Sequence, residues 1–144
     1  MDDLYLTTED LGGRVKPMTS TGAKNPVTPI VSLLFKAIND AHITHLLQAD
    51  KTLAKHNAMS LFYDGPVGDL ADQIMEVSMG LHGETDITVA SSSKIINAVD
   101  YFQKLYNNIE ALRKPIKESF IQNIVDEVQS EIAHTLYRLK YITT

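Results

Sequence analysis

The chain has 144 residues, 44% of them hydrophobic, which is enough for one domain with a core and excludes a wholly disordered protein. It has no cysteine, which excludes disulfides, thiolate metal sites and a cysteine nucleophile. Thirteen basic and eighteen acidic residues give a net charge of −5 without a basic block, so we expect no nucleic-acid partner. The apolar runs are short and the N-terminus is acidic, so we expect a cytoplasmic protein without a membrane anchor.

Residues 1–29 are predicted to form an extended arm. They contain three of the seven glycines and three of the five prolines of the chain, a composition that does not sustain a long helix. A polar segment of this kind is seldom ordered by itself. We therefore expect the arm to contact its own fold, a neighbouring subunit or a larger assembly.

Four amphipathic helices are predicted within residues 30–144. The apolar periodicity gives approximate bounds of 30–48 (helix A), 51–81 (helix B), 94–112 (helix C) and 115–141 (helix D). In helix A, for example, Leu34, Ile38, Ala41 and His45 recur at helical steps. Asp64-Gly65-Pro66 interrupts helix B and predicts a kink at 64–68.

These four helices, with no convincing strand, predict an all-α four-helix bundle. The polar stretch between helices B and C, residues 82–93, has no helical period. At about 3.3 Å per residue, such a segment can form a tight turn or cross the full length of the bundle. The topology of this connection is left open by the sequence.

The sequence-local signatures of common enzymes are absent, so metal-ligand chemistry is the remaining candidate. His45 belongs to the apolar stripe of helix A, and His56 lies early in helix B. Asp72 and Glu76 are one helical turn apart and face the same way. Two imidazoles and two carboxylates suit a divalent metal such as iron. Taken singly, a helix histidine is more often a packing residue, and an acidic pair at this spacing is more often solvated surface.

Residues 42–83, HITHLLQADKTLAKHNAMSLFYDGPVGDLADQIMEVSMGLHG, resemble the helix A to helix B signature of the Dps-like branch of the ferritin-like proteins. The positions that match the metal ligands of that family are His45, His56, Asp72 and Glu76. Ser60 stands where the family has a further acidic ligand, and Leu46 stands where it usually has a tryptophan. The last helix is similar to that of the family, so the resemblance covers about residues 30–142.

The resemblance implies a ferritin-like bundle that assembles into a symmetric homo-oligomer. The two histidines of one subunit and the aspartate and glutamate of another would bind ferrous iron (Fe) between them. Peroxide or oxygen would oxidise the iron, which would be stored as a ferric mineral. The alternative is a non-catalytic structural or adaptor protein, whose bundle and arm dock on a larger assembly such as a viral particle or shell.

A second candidate site lies on helix D, where Glu127, Glu131 and His134 fall on adjoining turns. Glu131 and His134 have the Glu-x-x-His spacing with which di-iron bundles direct two ligands inward. The competing interpretation is an ordinary pairing at an interface, Glu131 with His134 or Glu127 with Arg138.

Overall fold

The computed structural model describes residues 25–47 and 52–142. These residues form five α-helices and no strand, with bounds α1 Thr28–Leu47, α2 Leu53–Tyr63, α3 Val67–His82, α4 Ala98–Leu112 and α5 Ser119–Tyr141. Because α2 and α3 follow one another along the same side of the molecule, the five helices make the four rods of a bundle. The predicted all-α class is confirmed. Among the described residues, no helix is both long enough and apolar enough to cross a membrane.

The predicted arm, residues 1–29, lies outside the described residues except for its last five. Those five belong to the bundle, because Val27 is fully buried and α1 already begins at Thr28. Pro29 is tolerated there because a proline in the first turn of a helix leaves no hydrogen bond unmade.

The structure differs from the predictions for helices B, C and D. Helix B is two helices, α2 and α3, separated by residues 64–66. Helix C begins at Ala98 instead of residue 94, since the side chain of Asn97 caps it by accepting a hydrogen bond from the backbone of Asp100 at 3.0 Å. Helix D begins at Ser119 and not at Pro115. The intervening turn is fixed by the Gln122 amide, which donates to two of its carbonyl oxygens at 2.8 Å.

The connection between α3 and α4 is a crossover along the bundle, which decides the alternative that the sequence leaves open. It starts beside the beginning of α1, where the side chain of Asn25 donates to the carbonyl of Gly83 at 2.9 Å. It ends beside the last turns of α1, where the backbone N–H of Ile95 donates to Thr44 Oγ1 at 2.7 Å. Gly83 has φ +92°, a conformation that favours glycine, and ends α3.

The crossover sets the helix directions. With α1 taken as up, α2 and α3 run down, α4 also runs down and α5 runs up. His82 at the end of α3 lies 3.3 Å from Glu118 before α5, which agrees with this order. One long crossover in a four-helix bundle is the connectivity of ferritin-like folds.

A buried polar cluster on α1 holds the crossover in place. Asp40 is only 1% exposed, and its carboxylate accepts from Lys36 Nζ at 2.6 Å, from the Tyr101 hydroxyl at 2.6 Å and from the backbone N–H of Ser93 at 3.0 Å. Burial, followed by the charge of Asp40 and the hydrogen bond to it, raises the pKa of Tyr101 well above 10.0. These contacts tie α1, the crossover and α4 together.

The apolar core fills the space between the rods. At its centre Phe62 of α2 meets Phe102 of α4 edge to face, with ring centroids 4.9 Å apart. Both rings are almost completely buried. The centre of the bundle is therefore filled by packed apolar side chains.

Candidate metal centre

His45 and His56 are brought together by the α1–α2 hairpin. His45 lies in the last turn of α1 and His56 in the first turns of α2, and both are half-buried. Their ring centroids are 4.0 Å apart and the ring planes are inclined by 31°. The pair that the sequence singles out is therefore a real neighbour pair on the outer side of the bundle.

Two further aromatic residues, which the sequence analysis does not single out, complete this cluster. The ring of Tyr63 stacks on His42 at 4.0 Å with an interplanar angle of 12°. The Tyr63 hydroxyl lies 3.5 Å from Nδ1 of His45. A hydrogen-bond partner on one nitrogen of an imidazole fixes the orientation of the ring, as in metal-binding histidines. The sequence signal that could have identified Tyr63 is its spacing, because it follows His56 by two helical turns.

Asp72 and Glu76 lie elsewhere on the same chain. Both are exposed on α3. A Cβ at Gly68 would be 3.9 Å from the side chain of Ile38, so position 68 of α3 is level with position 38 of α1. Since the helices are antiparallel, Asp72 and Glu76 are level with positions 34 and 30 of α1. At 1.5 Å per residue, those levels are about 16 and 22 Å from that of His45.

One chain therefore supplies only part of a metal site. Within the described ranges, no three histidine, aspartate or glutamate side chains form a group that could hold a metal ion. The rings of His45 and His56 overlap, so both imidazoles must rotate before two in-plane lone pairs can point to one ion. Ser60, at the position where the Dps-like proteins have an acidic ligand, is half-buried.

The second candidate set lies along α5. Glu127 and His134 are exposed, and Glu131 is half-buried. The backbone carbonyl of Glu131 accepts from the Thr135 hydroxyl at 3.0 Å, and the ring of His134 lies 6.3 Å from that of Tyr137. In the described part of the chain, these three side chains do not form a group that could hold a metal ion.

The described residues form an all-α bundle with one long crossover and an imidazole pair on its outer face. The chain belongs to the Family of unknown function (DUF5856), whose model matches residues 47–139. The matched range includes His56, Asp72 and Glu76, and it begins two residues after His45. No curated protein and no solved structure matches the chain.

Proposed function

We propose that the protein binds ferrous iron between two copies of the chain and oxidises it, as the resemblance to the Dps-like proteins implies. The observation that carries the proposal is the contact between His45 and His56, at 4.0 Å between ring centroids, in a bundle with the ferritin-like crossover. Neither imidazole is charged in its ligand form. A second copy must therefore supply the negative charge that Fe(II) requires.

The positions of the candidate ligands along the bundle suit a two-fold axis. His45 lies seven residues beyond Ile38 on α1, about 10 Å at 1.5 Å per residue. Asp72 and Glu76 lie level with positions four and eight residues before Ile38, about 6 and 12 Å away. A two-fold axis through Ile38, perpendicular to α1, puts His45 of one copy between the levels of both carboxylates of the other. The contact is isologous, so each dimer has two such sites.

The chemistry follows from this donor set. Imidazole nitrogens and carboxylate oxygens hold iron while leaving positions for an oxidant. Two Fe(II) ions each lose one electron, and one peroxide takes up both electrons and two protons as its O–O bond breaks to give two waters. The carboxylates neutralise the ferric charge that develops. The ferric product then hydrolyses to a mineral.

Oxidation of anaerobically loaded Fe(II) on addition of peroxide tests the activity. We expect the full chain to oxidise iron faster than buffer, and His56→Ala and Glu76→Ala to lose this advantage. His134→Ala is the matched control, because it removes an exposed imidazole from α5. If His134→Ala abolishes oxidation while His56→Ala does not, the metal is held on α5 and the proposed site is wrong.

Mixing two inactive variants tests whether the site is shared. In a dimer of one His56→Ala chain and one Glu76→Ala chain, one of the two sites keeps all of its ligands. Random mixing in equal amounts should restore about a quarter of the sites of the unaltered protein. If mixing restores nothing while each single variant still dimerises, the ligands come from one chain.

The two-fold axis itself can be tested without iron. The chain has no cysteine, so Ile38→Cys introduces a single thiol, which would lie on the axis and meet its own copy. We expect rapid disulfide-linked dimers under mild oxidation. Leu46→Cys is the control: Leu46 is 65% exposed, but eight residues beyond the axis, so the two copies of this thiol would be about 24 Å apart. Faster dimerisation of Leu46→Cys would rule out this axis.

A second candidate function keeps the bundle and has no iron chemistry: a structural or adaptor protein docked on a larger assembly. It is favoured by Ser60 at a ligand position and by the overlapping rings of His45 and His56. Here we expect oxidation no faster than buffer, and the same dimers by light scattering for His56→Ala and the unaltered chain.

A further inference from the structure

The crossover between α3 and α4 contains a stretch of extended backbone without hydrogen-bond partners. Its step from residue 83 to residue 95 runs from the level of Asn25 to that of Thr44, about 28 Å along α1. Within the described ranges, the backbone N–H and C=O groups of residues 84–92 make no hydrogen bond. Such a stretch is a template to which another strand can add.

The residues of this stretch favour a strand. Four of the five residues from Thr85 to Val89 are β-branched. From residue 84 to residue 88 the side chains are alternately exposed and half-buried, as on a strand that packs on one face. The part of the chain that the structure describes forms no strand with which this stretch could pair. The charges of the stretch indicate which partner fits.

The exposed charges at the two ends of the stretch are opposite in sign. Glu84 and Asp86 lie at its beginning and Lys94 lies at its end. All three are exposed, and none of them forms an ion pair with a described residue. A second copy in the antiparallel direction brings the acidic beginning of each stretch to the basic end of the other. We infer that the crossovers of two copies pair as antiparallel strands about a two-fold axis.

Val89 is the residue that belongs on this axis. It is 39% exposed, and with the two copies of Val89 opposite one another, Glu84 faces Lys94 of the second copy at both ends of the paired strands. Asp86 is then a diagonal neighbour of the same lysine. With Ala90 on the axis, Asp86 would face Lys94 directly, but Ala90 is only 5% exposed and cannot meet its own copy.

This contact is separate from the two-fold axis at Ile38. The backbone N–H of Ser93 donates to Asp40 at 3.0 Å, so the crossover lies on the Asp40 side of α1. Asp40 follows Ile38 by two residues, about 200° around the helix, so the two contacts lie on opposite sides of α1. Two different two-fold contacts are what a closed assembly larger than a dimer needs. The inference goes beyond the proposed function and does not depend on iron.

Disulfide trapping in the full chain tests the pairing, because the protein has no cysteine of its own. Val89→Cys puts a thiol on the axis, so we expect a covalent dimer, twice 16.0 kDa, under mild oxidation. Ser91→Cys is the matched control: Ser91 is also exposed, but its two copies would be four residues apart along the strands, about 13 Å. The dimer should form at least about tenfold faster from Val89→Cys. Equal rates would overturn the inference.

Charge reversal in the Val89→Cys chain tests the register. Glu84→Lys puts like charges opposite one another at both ends of the paired strands and should slow trapping about fivefold. Adding Lys94→Glu exchanges the two charges and should restore the rate. Both positions are exposed, so circular dichroism should show an unchanged fold. A folded double variant that is trapped no faster than Glu84→Lys would contradict the pairing.

Hydrogen exchange of the unaltered chain measures the same contact without a cysteine. Alternate amides of residues 84–92 gain hydrogen bonds when the strands pair. Their exchange should slow at least about tenfold over the range of protein concentration in which light scattering shows association. Protection of these amides in a monomer would show that another part of the same chain pairs with the crossover, and the inference would be wrong.

The outcomes separate this inference from the iron proposal, because trapping needs no iron. Fast trapping of Val89→Cys in a protein that fails to oxidise iron would refute only the proposed function. Normal iron oxidation without trapping would refute only the pairing of the crossovers.

Discussion

Replacing Asp40 by alanine should be among the most damaging single substitutions in this chain. The substitution leaves three donors without their acceptor: Lys36 Nζ and the Tyr101 hydroxyl, each at 2.6 Å, and the backbone N–H of Ser93 at 3.0 Å. A buried donor without a partner costs about 1–3 kcal/mol. The Lys36 side chain is 18% exposed and regains part of its hydration, so the expected loss in the free energy of unfolding is about 3–5 kcal/mol.

Urea denaturation followed by circular dichroism measures this loss, since the chain has no tryptophan for fluorescence. Asp100→Ala is the matched control. It removes the same side chain from another i,i+4 pair with a lysine, Lys104 at 3.2 Å, but the Asp100 side chain is 55% exposed. An exposed pair of this kind contributes less than about 1 kcal/mol.

The difference between the two variants tests the reasoning. If Asp40→Ala is no more destabilising than Asp100→Ala, the buried cluster does not hold the crossover. If instead the midpoint is unchanged and the denaturant slope falls, the crossover detaches separately from the rest of the bundle.

Three other substitutions have defined outcomes. Tyr101→Phe should lower the free energy of unfolding by about 1 kcal/mol near neutral pH, as measured by urea titration. Because the pKa of Tyr101 is raised in the folded protein, the unfolded chain loses this proton first as the pH rises above 10.0. The stability difference between the unaltered chain and Tyr101→Phe should therefore shrink above that pH. Gly65→Ala should destabilise the protein by about 1–3 kcal/mol, since its Cβ would lie 2.2 Å from a backbone oxygen. Gly80→Ala should stabilise it by up to about 1 kcal/mol, because Gly80 lies on a helix with open space around it. Thermal melts compare the two variants. Tyr63→Phe should weaken Fe(II) binding about tenfold by titration, because it removes a hydrogen-bond partner of His45.

The helical period predicts the rods of the bundle well and their ends less well. The faces containing Leu34, Phe102 and Ile132 are buried as the period indicates. Leu53 and Phe120 follow the same periods but are 65% and 47% exposed. Each is the first or second residue of its helix. Periodicity reports direction around a helix axis and has no information about where the neighbouring helix ends.

The crossover could not be predicted from its own residues. The stretch 82–93 is polar and has no period, and it is held by partners on α1 that look unremarkable in the sequence. Asp40 follows Lys36 by four residues, a spacing typical of a solvated surface pair. The carboxylate is buried because the crossover covers it, and the crossover is placed there in part because the carboxylate accepts its N–H. Each depends on the other, so no local pattern distinguishes this pair from a surface one.

The candidate site shows the same limit of local sequence patterns. The contact between His45 and His56 follows from a hairpin of two helices, and the resemblance to the Dps-like proteins implies that the two lie together. Whether Asp72 and Glu76 join them depends on a surface that one chain does not contain. This is why spacing alone can propose four ligands and determine the arrangement of only two.

The proposed iron site constrains the position of the symmetry axis. A two-fold axis at Ile38 relates position 45 of α1 to position 31, between the levels of Glu76 and Asp72. Moving the axis one helical turn along α1 shifts the partner by about 11 Å, twice the rise of a turn. His45 would then be level with neither carboxylate. The levels of the candidate iron ligands therefore determine where along α1 the two-fold axis of the proposed dimer has to lie.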